Sequence, residues 1–164
     1  MRGTCSLRFE SDQGRKQMTI RIKNATSRTG ANMEKIQRLL SENGAQKVMM
    51  DYRGDGTLES ITFAMMINGK LAGFRLPAMV DNVAEIMFGG EDRWGRKKDI
   101  NQSHRDKAYI TAWANIRDWL DAQMALVQTR QAEVVQIFLP YMVMKDDRTL
   151  YEQVISDPKF LLEK

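Results

Sequence analysis

Apolar residues recur along this chain with two spacings, and each predicts a different kind of element. Met33, Ile36, Leu39 and Leu40 sit at helical intervals, which predicts a helix over residues 32–43 with Asn32 as its N-cap and Gly44 at its C-terminal end. From residue 47 the pattern changes to that of strands. Lys47-Val48-Met49-Met50-Asp51-Tyr52 is followed by the turn Gly54-Asp55-Gly56, and residues 58–67 are rich in β-branched and aromatic side chains. Asn68-Gly69 is a strong hairpin signal, and residues 70–76 return as a third strand that must end by Pro77. The alternation Thr19-Ile20-Arg21-Ile22-Lys23 can add a fourth strand at an edge, over residues 18–23.

Helical spacing then resumes. Met79, Val80, Val83, Ala84, Ile86, Met87 and Phe88 form one stripe, with Asp81 near its start and Gly89-Gly90 as its stop. Residues 91–102 have no apolar period and read as a surface loop. The strongest helical signal runs over residues 103–132, where Tyr109, Trp113, Ile116, Leu120, Met124 and Val127 return every three or four positions. A helix of that length would span about 43 Å, more than a small domain is wide, so it should break or overhang. Residues 134–139 are apolar up to Pro140, residues 149–156 predict a short helix, and Phe160-Leu161-Leu162 is a candidate terminal latch. The fold class is α+β, a three- or four-stranded antiparallel sheet with its meander at 47–76, packed against helices.

Composition supports one folded domain. With 43% hydrophobic and 28% charged residues in a chain of 164, the sequence can bury a core without staples. A lone Cys5 forms no internal disulfide and suits a reducing compartment, here the cytoplasm. No apolar run reaches membrane-span length, so neither secretion nor membrane insertion is expected. The net charge of +4 is unevenly placed: residues 1–30 hold seven bases and two acids, leaving the rest at −1. Residues 1–17 therefore read as a basic extension, or a leader upstream of a start near Met18, or else a functional basic arm; the domain is expected over 18–164.

Candidate chemistry is sparse. His104, the single histidine, has no second His or Cys beside it and reads as an exposed helix-start residue. The 51–56 stretch mimics a calcium loop, but Arg53 breaks its alternation and Thr62 stands where the bidentate Glu belongs, so a turn is expected. Asp118 and Asp121 lie three apart on the long helix, which usually marks a solvated face. No catalytic residue, metal site or cofactor is assigned.

Two features carry a binding expectation. Arg93, Trp94, Arg96, Lys97 and Lys98, with Arg105 and Lys107 behind them, put an aromatic among cations, which suits base stacking beside phosphates; Arg75 is a second candidate contact. Against this stands a solvated loop partly neutralised by Glu91, Asp92, Asp99 and Asp106. Trp113, Trp119 and Tyr141 are candidate protein-binding anchors, and a long helix apolar on two sides can seat a second subunit, making a homo-oligomer. Core packing is the plainer reading of these aromatics.

The runs Gln46-Lys47-Val48-Met49-Met50-Asp51-Tyr52, Ile61-Thr62-Phe63-Ala64, Phe74-Arg75-Leu76-Pro77, Ala112-Trp113, Asp118-Trp119, Ala122-Gln123 and Phe138-Leu139-Pro140-Tyr141-Met142 resemble small proteins of tailed bacteriophages and prophages that have no established activity. The resemblance covers roughly residues 18–162; the basic insert after Phe88 and the N-terminal extension depart from it. It implies a phage-related setting in the bacterial cytoplasm. The resulting expectation is a non-enzymatic accessory protein that binds DNA or RNA. The alternatives are a protein-binding module, such as an inhibitor of a host defence enzyme or a replication partner, and an unfamiliar hydrolase using Asp118 or Asp121.

Overall fold

The computed structural model describes residues 29–157 and residue 159. The expected strand at 18–23, the 1–17 extension and the 160–162 latch lie outside the described residues. In chain order the elements are α1 (Thr29–Glu42), β1 (Ala45–Tyr52), β2 (Leu58–Ile67), β3 (Lys70–Pro77), α2 (Val80–Phe88), α3 (Gln102–Gln128), α4 (Val134–Phe138), a 3-10 turn (Leu139–Tyr141) and α5 (Leu150–Ser156). The fold is α+β, with the sheet in the order β1-β2-β3 and both pairings antiparallel.

Local chemistry explains most boundaries. Asn68 and Gly69 have φ of 49° and 76°, the paired left-handed conformation of a two-residue hairpin turn, and Ile67 stands opposite Lys70. At the first turn, Asp55 Oδ1 accepts from Thr57 N at 2.8 Å and from Thr57 Oγ1 at 2.6 Å, while Arg53 N donates to Thr57 O at 2.8 Å. The two bonds from Thr57 to its oxygen, the hydroxyl's first, hold the Asp55 carboxyl below its ordinary value. The calcium-like stretch is thus a hydrogen-bonded turn. Thr149 caps α5 in a reciprocal box with Glu152, whose carboxylate accepts Thr149 N–H at 2.7 Å.

Two helix expectations need correction. Asn32 lies inside α1, which already includes Thr29, so it is no N-cap. It is 0% exposed inside the helix, and its Oδ1 accepts from Arg117 Nη1 at 2.6 Å. α3 ends at Gln128, short of 132. Thr129 turns its hydroxyl back onto Ala125 O at 2.8 Å, and Arg130 takes a left-handed φ of 56°. The expected break thus falls between α3 and α4.

Strand alternation divides the sheet into two faces. Ile61, Phe63 and Met65 of β2, with Phe74 and Leu76 of β3, are buried beneath the helices. Phe63 stacks on Phe74 at 5.3 Å and meets Phe138 edge-on at 5.3 Å, so strands and α4 share one aromatic cluster. On the opposite face Asp51 Oδ2 accepts from Ser60 Oγ at 2.8 Å and Thr62 Oγ1 at 2.9 Å, satisfying two nearly buried hydroxyls. Around them Met49, Met66 and Leu71 are exposed.

α3 packs against both α1 and α2, and Tyr109 Oη accepts from Leu58 N at 3.1 Å. α1 and α2 of this chain thus cover part of the α3 surface. Trp113 is 0% exposed and part of the core, so it is withdrawn from the partner-binding set: a side chain without accessible surface presents nothing to dock against.

Candidate nucleic-acid interface

The loop after α2 folds back on itself. Asp92 N donates to Arg96 O at 2.8 Å, Gly95 N to Asp92 O at 3.0 Å, and Lys98 N to Gly90 O at 2.9 Å. Asp92 organises the tip: its Oδ1 accepts the backbone N–H of Trp94 at 2.8 Å and of Arg96 at 3.0 Å, and its Oδ2 accepts Arg96 Nε at 3.0 Å. Gly95 supplies the positive φ, 75°, that closes the turn. The expected surface loop is real, but it is a small hydrogen-bonded hairpin.

This hairpin presents Trp94 with 63% of its surface exposed. The Arg93 guanidinium carbon lies 3.9 Å from the indole centroid and that of Arg96 lies 5.1 Å away, so both cations lie over the ring. Lys97, Lys98 and Lys107 are exposed and form no ion pair among the described residues. The stem rests on α3 through His104, whose ring stacks on Phe88 at 4.4 Å and 11°. His104 is therefore half-buried, in contrast to the exposed residue expected, because the apolar end of α2 covers its ring.

Two of the expected contacts are committed elsewhere. Arg105 Nη1 binds Asp81 Oδ1 at 3.1 Å, and Arg53 Nη1 takes the other oxygen of Asp81 at 3.2 Å, tying α3 to the first β-turn through α2. The Arg53 guanidinium is raised above its ordinary value, first by Asp81. Arg75 donates to Asp147 O at 2.9 Å and to Asp147 Oδ1 at 2.6 Å. It braces the segment in which Val143 N donates to Gly73 O at 2.8 Å at the outer edge of β3. Arg75 and Arg105 thus each share a carboxylate, as Arg96 does with Asp92, whereas Arg93, Lys97 and Lys98 of the loop and Lys107 of α3 form no ion pair among the described residues.

The organising role of Asp92 was overlooked in the sequence, although a signal for it is there: Asp92-Arg93-Trp94-Gly95 places Asp first and Gly fourth, the preference of a type I turn. The Asp92 carboxyl is held below its usual value by the Arg96 backbone N–H first, then by the Trp94 N–H and the Arg96 side chain. Its folded value lies below an unfolded value near 3.8. The carboxylate's contribution to loop order is therefore fully present above that pH and is lost as pH falls through the folded value. Protection factors of the Trp94 and Arg96 amides are expected to be flat from neutral pH to about 4 and to drop below it. A drop already complete at pH 5 would show that Asp92 does not hold the loop.

Elsewhere, Trp119 and Tyr141, 5.6 Å apart, line an open cleft of about 220 Å3 with Leu76, Pro77, Asn115 and Ile116. Pro77 also borders a wider cleft of about 410 Å3, lined by Asp51, Arg53, Glu59, Ser60, Arg75 and Met79. Asp118 pairs with Arg117 and Asp121 with Lys35, at 2.6 and 2.8 Å, and neither lines these clefts. Among the described residues no group of three or more His, Cys, Asp and Glu could hold a metal ion, and no helix is long and apolar enough to cross a membrane. Set against protein-family models, curated proteins and solved structures, the chain matches none.

Proposed function

We propose that this protein is a non-enzymatic accessory protein that binds nucleic acid through the 90–98 hairpin and the first turns of α3. The observation that carries this reading is Trp94, an exposed indole beside the guanidinium groups of Arg93 and Arg96 on a hydrogen-bonded support. An unpaired base stacks on such a ring while neighbouring cations meet phosphates. The tailed-phage setting rests on the sequence resemblance alone, and the bacterial cytoplasm on that resemblance and the lone Cys5.

The test is a titration of single- and double-stranded DNA and RNA at several salt concentrations. If Arg93, Arg96, Lys97, Lys98 and Lys107 each meet one phosphate, log affinity for single strands should fall against log salt with a slope of about −3.5. Absent binding to all four probes, or affinity indifferent to salt, removes the reading.

A second reading, a protein-binding module, is favoured by the Trp119–Tyr141 cleft, whose 220 Å3 has room for one large apolar side chain of a partner. Recovery of one bacterial protein that survives nuclease treatment would favour it over the first.

A further inference from the structure

At the outer edge of β3 Val143 N donates to Gly73 O, whereas among the described residues nothing pairs with the outer edge of β1. The hairpin closes on the pair Ile67 and Lys70, so residues 61, 63 and 65 direct their backbone groups toward β3, and 60, 62 and 64 toward β1. Lys47, Met49 and Asp51 stand opposite Ala64, Thr62 and Ser60 and spend their own backbone groups there. The N–H and C=O of Val48 and Met50 consequently point away from the sheet. Irregularities between Ala45 and Lys47 and between Asp51 and Tyr52 bound this regular stretch, with Met49 at its centre, 56% exposed.

The charges at its two ends make the edge self-complementary. Lys47 and Asp51 project from the same sheet face, and neither forms an ion pair among the described residues. The Ser60 and Thr62 hydroxyls both use Oδ2 of Asp51, leaving Oδ1 for another donor. We propose that β1 pairs antiparallel with β1 of a second copy of this chain, about a two-fold axis through Met49. Val48 then exchanges backbone hydrogen bonds with the partner's Met50, and Met50 with the partner's Val48. Lys47 lies directly across from the partner's Asp51, twice by symmetry, and Met49 meets the partner's Met49.

Charge selects this register. Sliding by two residues one way sets Lys47 against the partner's Met49. Sliding the other way carries Lys47 past the partner's Asp51 and beyond the irregularity after it, where the regular strand has ended. Sliding by one residue opposes an outward-bonding residue to an inward-bonding one and breaks the ladder. So short an edge gives a reversible dimer, with Kd on the order of 10 to 100 µM.

Sedimentation of the full chain from roughly 1 to 500 µM, a range bracketing interfaces of this size, should show monomer passing to dimer. Lys47→Glu should raise Kd about tenfold, since it replaces two attractive pairs with two repulsive ones. In a Cys5→Ser background, Met49→Cys should cross-link on oxidation, because facing Cα atoms in such a pair lie about 4.5 Å apart, within disulfide reach. Met66→Cys, also on the open sheet face but on the central strand, should not. A monomer throughout the range, a Kd unmoved by Lys47→Glu, or equal cross-linking at Met66 would each overturn the proposal.

Discussion

Reversal of Lys97, Lys98 and Lys107 to glutamate is expected to weaken nucleic-acid binding by at least 100-fold at low salt and to flatten the salt slope by about 2, the share of three phosphate contacts on a single strand. These lysines are exposed and free of ion pairs among the described residues, so the triple variant should keep the thermal stability of the parent. Trp94→Ala should cost a further 1 to 3 kcal/mol, roughly the value of one stacked base, without changing the slope. Arg75→Ala and Arg105→Ala provide the contrast. Both cations are held by carboxylates, so their loss should touch stability modestly and binding little. Filter binding at two salt concentrations together with thermal melts separates the two outcomes. If Arg75→Ala or Arg105→Ala matched the triple variant, the binding surface would lie on the braces and not on the hairpin.

Phe63→Ala is expected to lower stability by about 3 to 5 kcal/mol. The ring is 0% exposed and touches Phe74 and Phe138, so its removal empties the junction between β2, β3 and α4. Neighbouring elements are tied to one another through that cluster, because Phe138 also meets Trp119 of α3 at 5.6 Å, and little of the void can collapse. Met66→Ala, three residues along the same strand but 48% exposed on the opposite face, should change stability by only about 0.5 kcal/mol. Urea unfolding of the two variants tests the division of the sheet into a packed and an open face. Equal losses would mean that the open face is covered by something that contributes to folding.

The meander was legible because its signals are local. Asn68-Gly69 reports a left-handed turn through the residues that occupy it, and the alternation of residues 58–67 reports one buried face. The same holds for Thr149 with Glu152, where cap and partner lie three residues apart. Asn32 misled because an N-cap and a buried asparagine share one residue type. What separates them is Arg117, 85 positions away, whose guanidinium accounts for the buried oxygen. Trp113 and Trp119 share one helix, and only the positions of α1, α2 and α4 send the first into the core and leave the second lining a cleft.

Charge shows the same division between local and distant causes. That residues 93–107 hold a cluster of cations around an indole follows from composition, and the turn that presents the indole follows from Asp92 and Gly95. Which cations remain free does not follow, since Arg75 and Arg105 are neutralised by Asp147 and Asp81 across long sequence separations. Turns, caps and strand alternation are set by neighbours within four residues, and those the chain carries in its order of amino acids. Burial, ion pairing and the identity of an open sheet edge depend on which distant segments arrive at the same place, and that is decided only when the core closes.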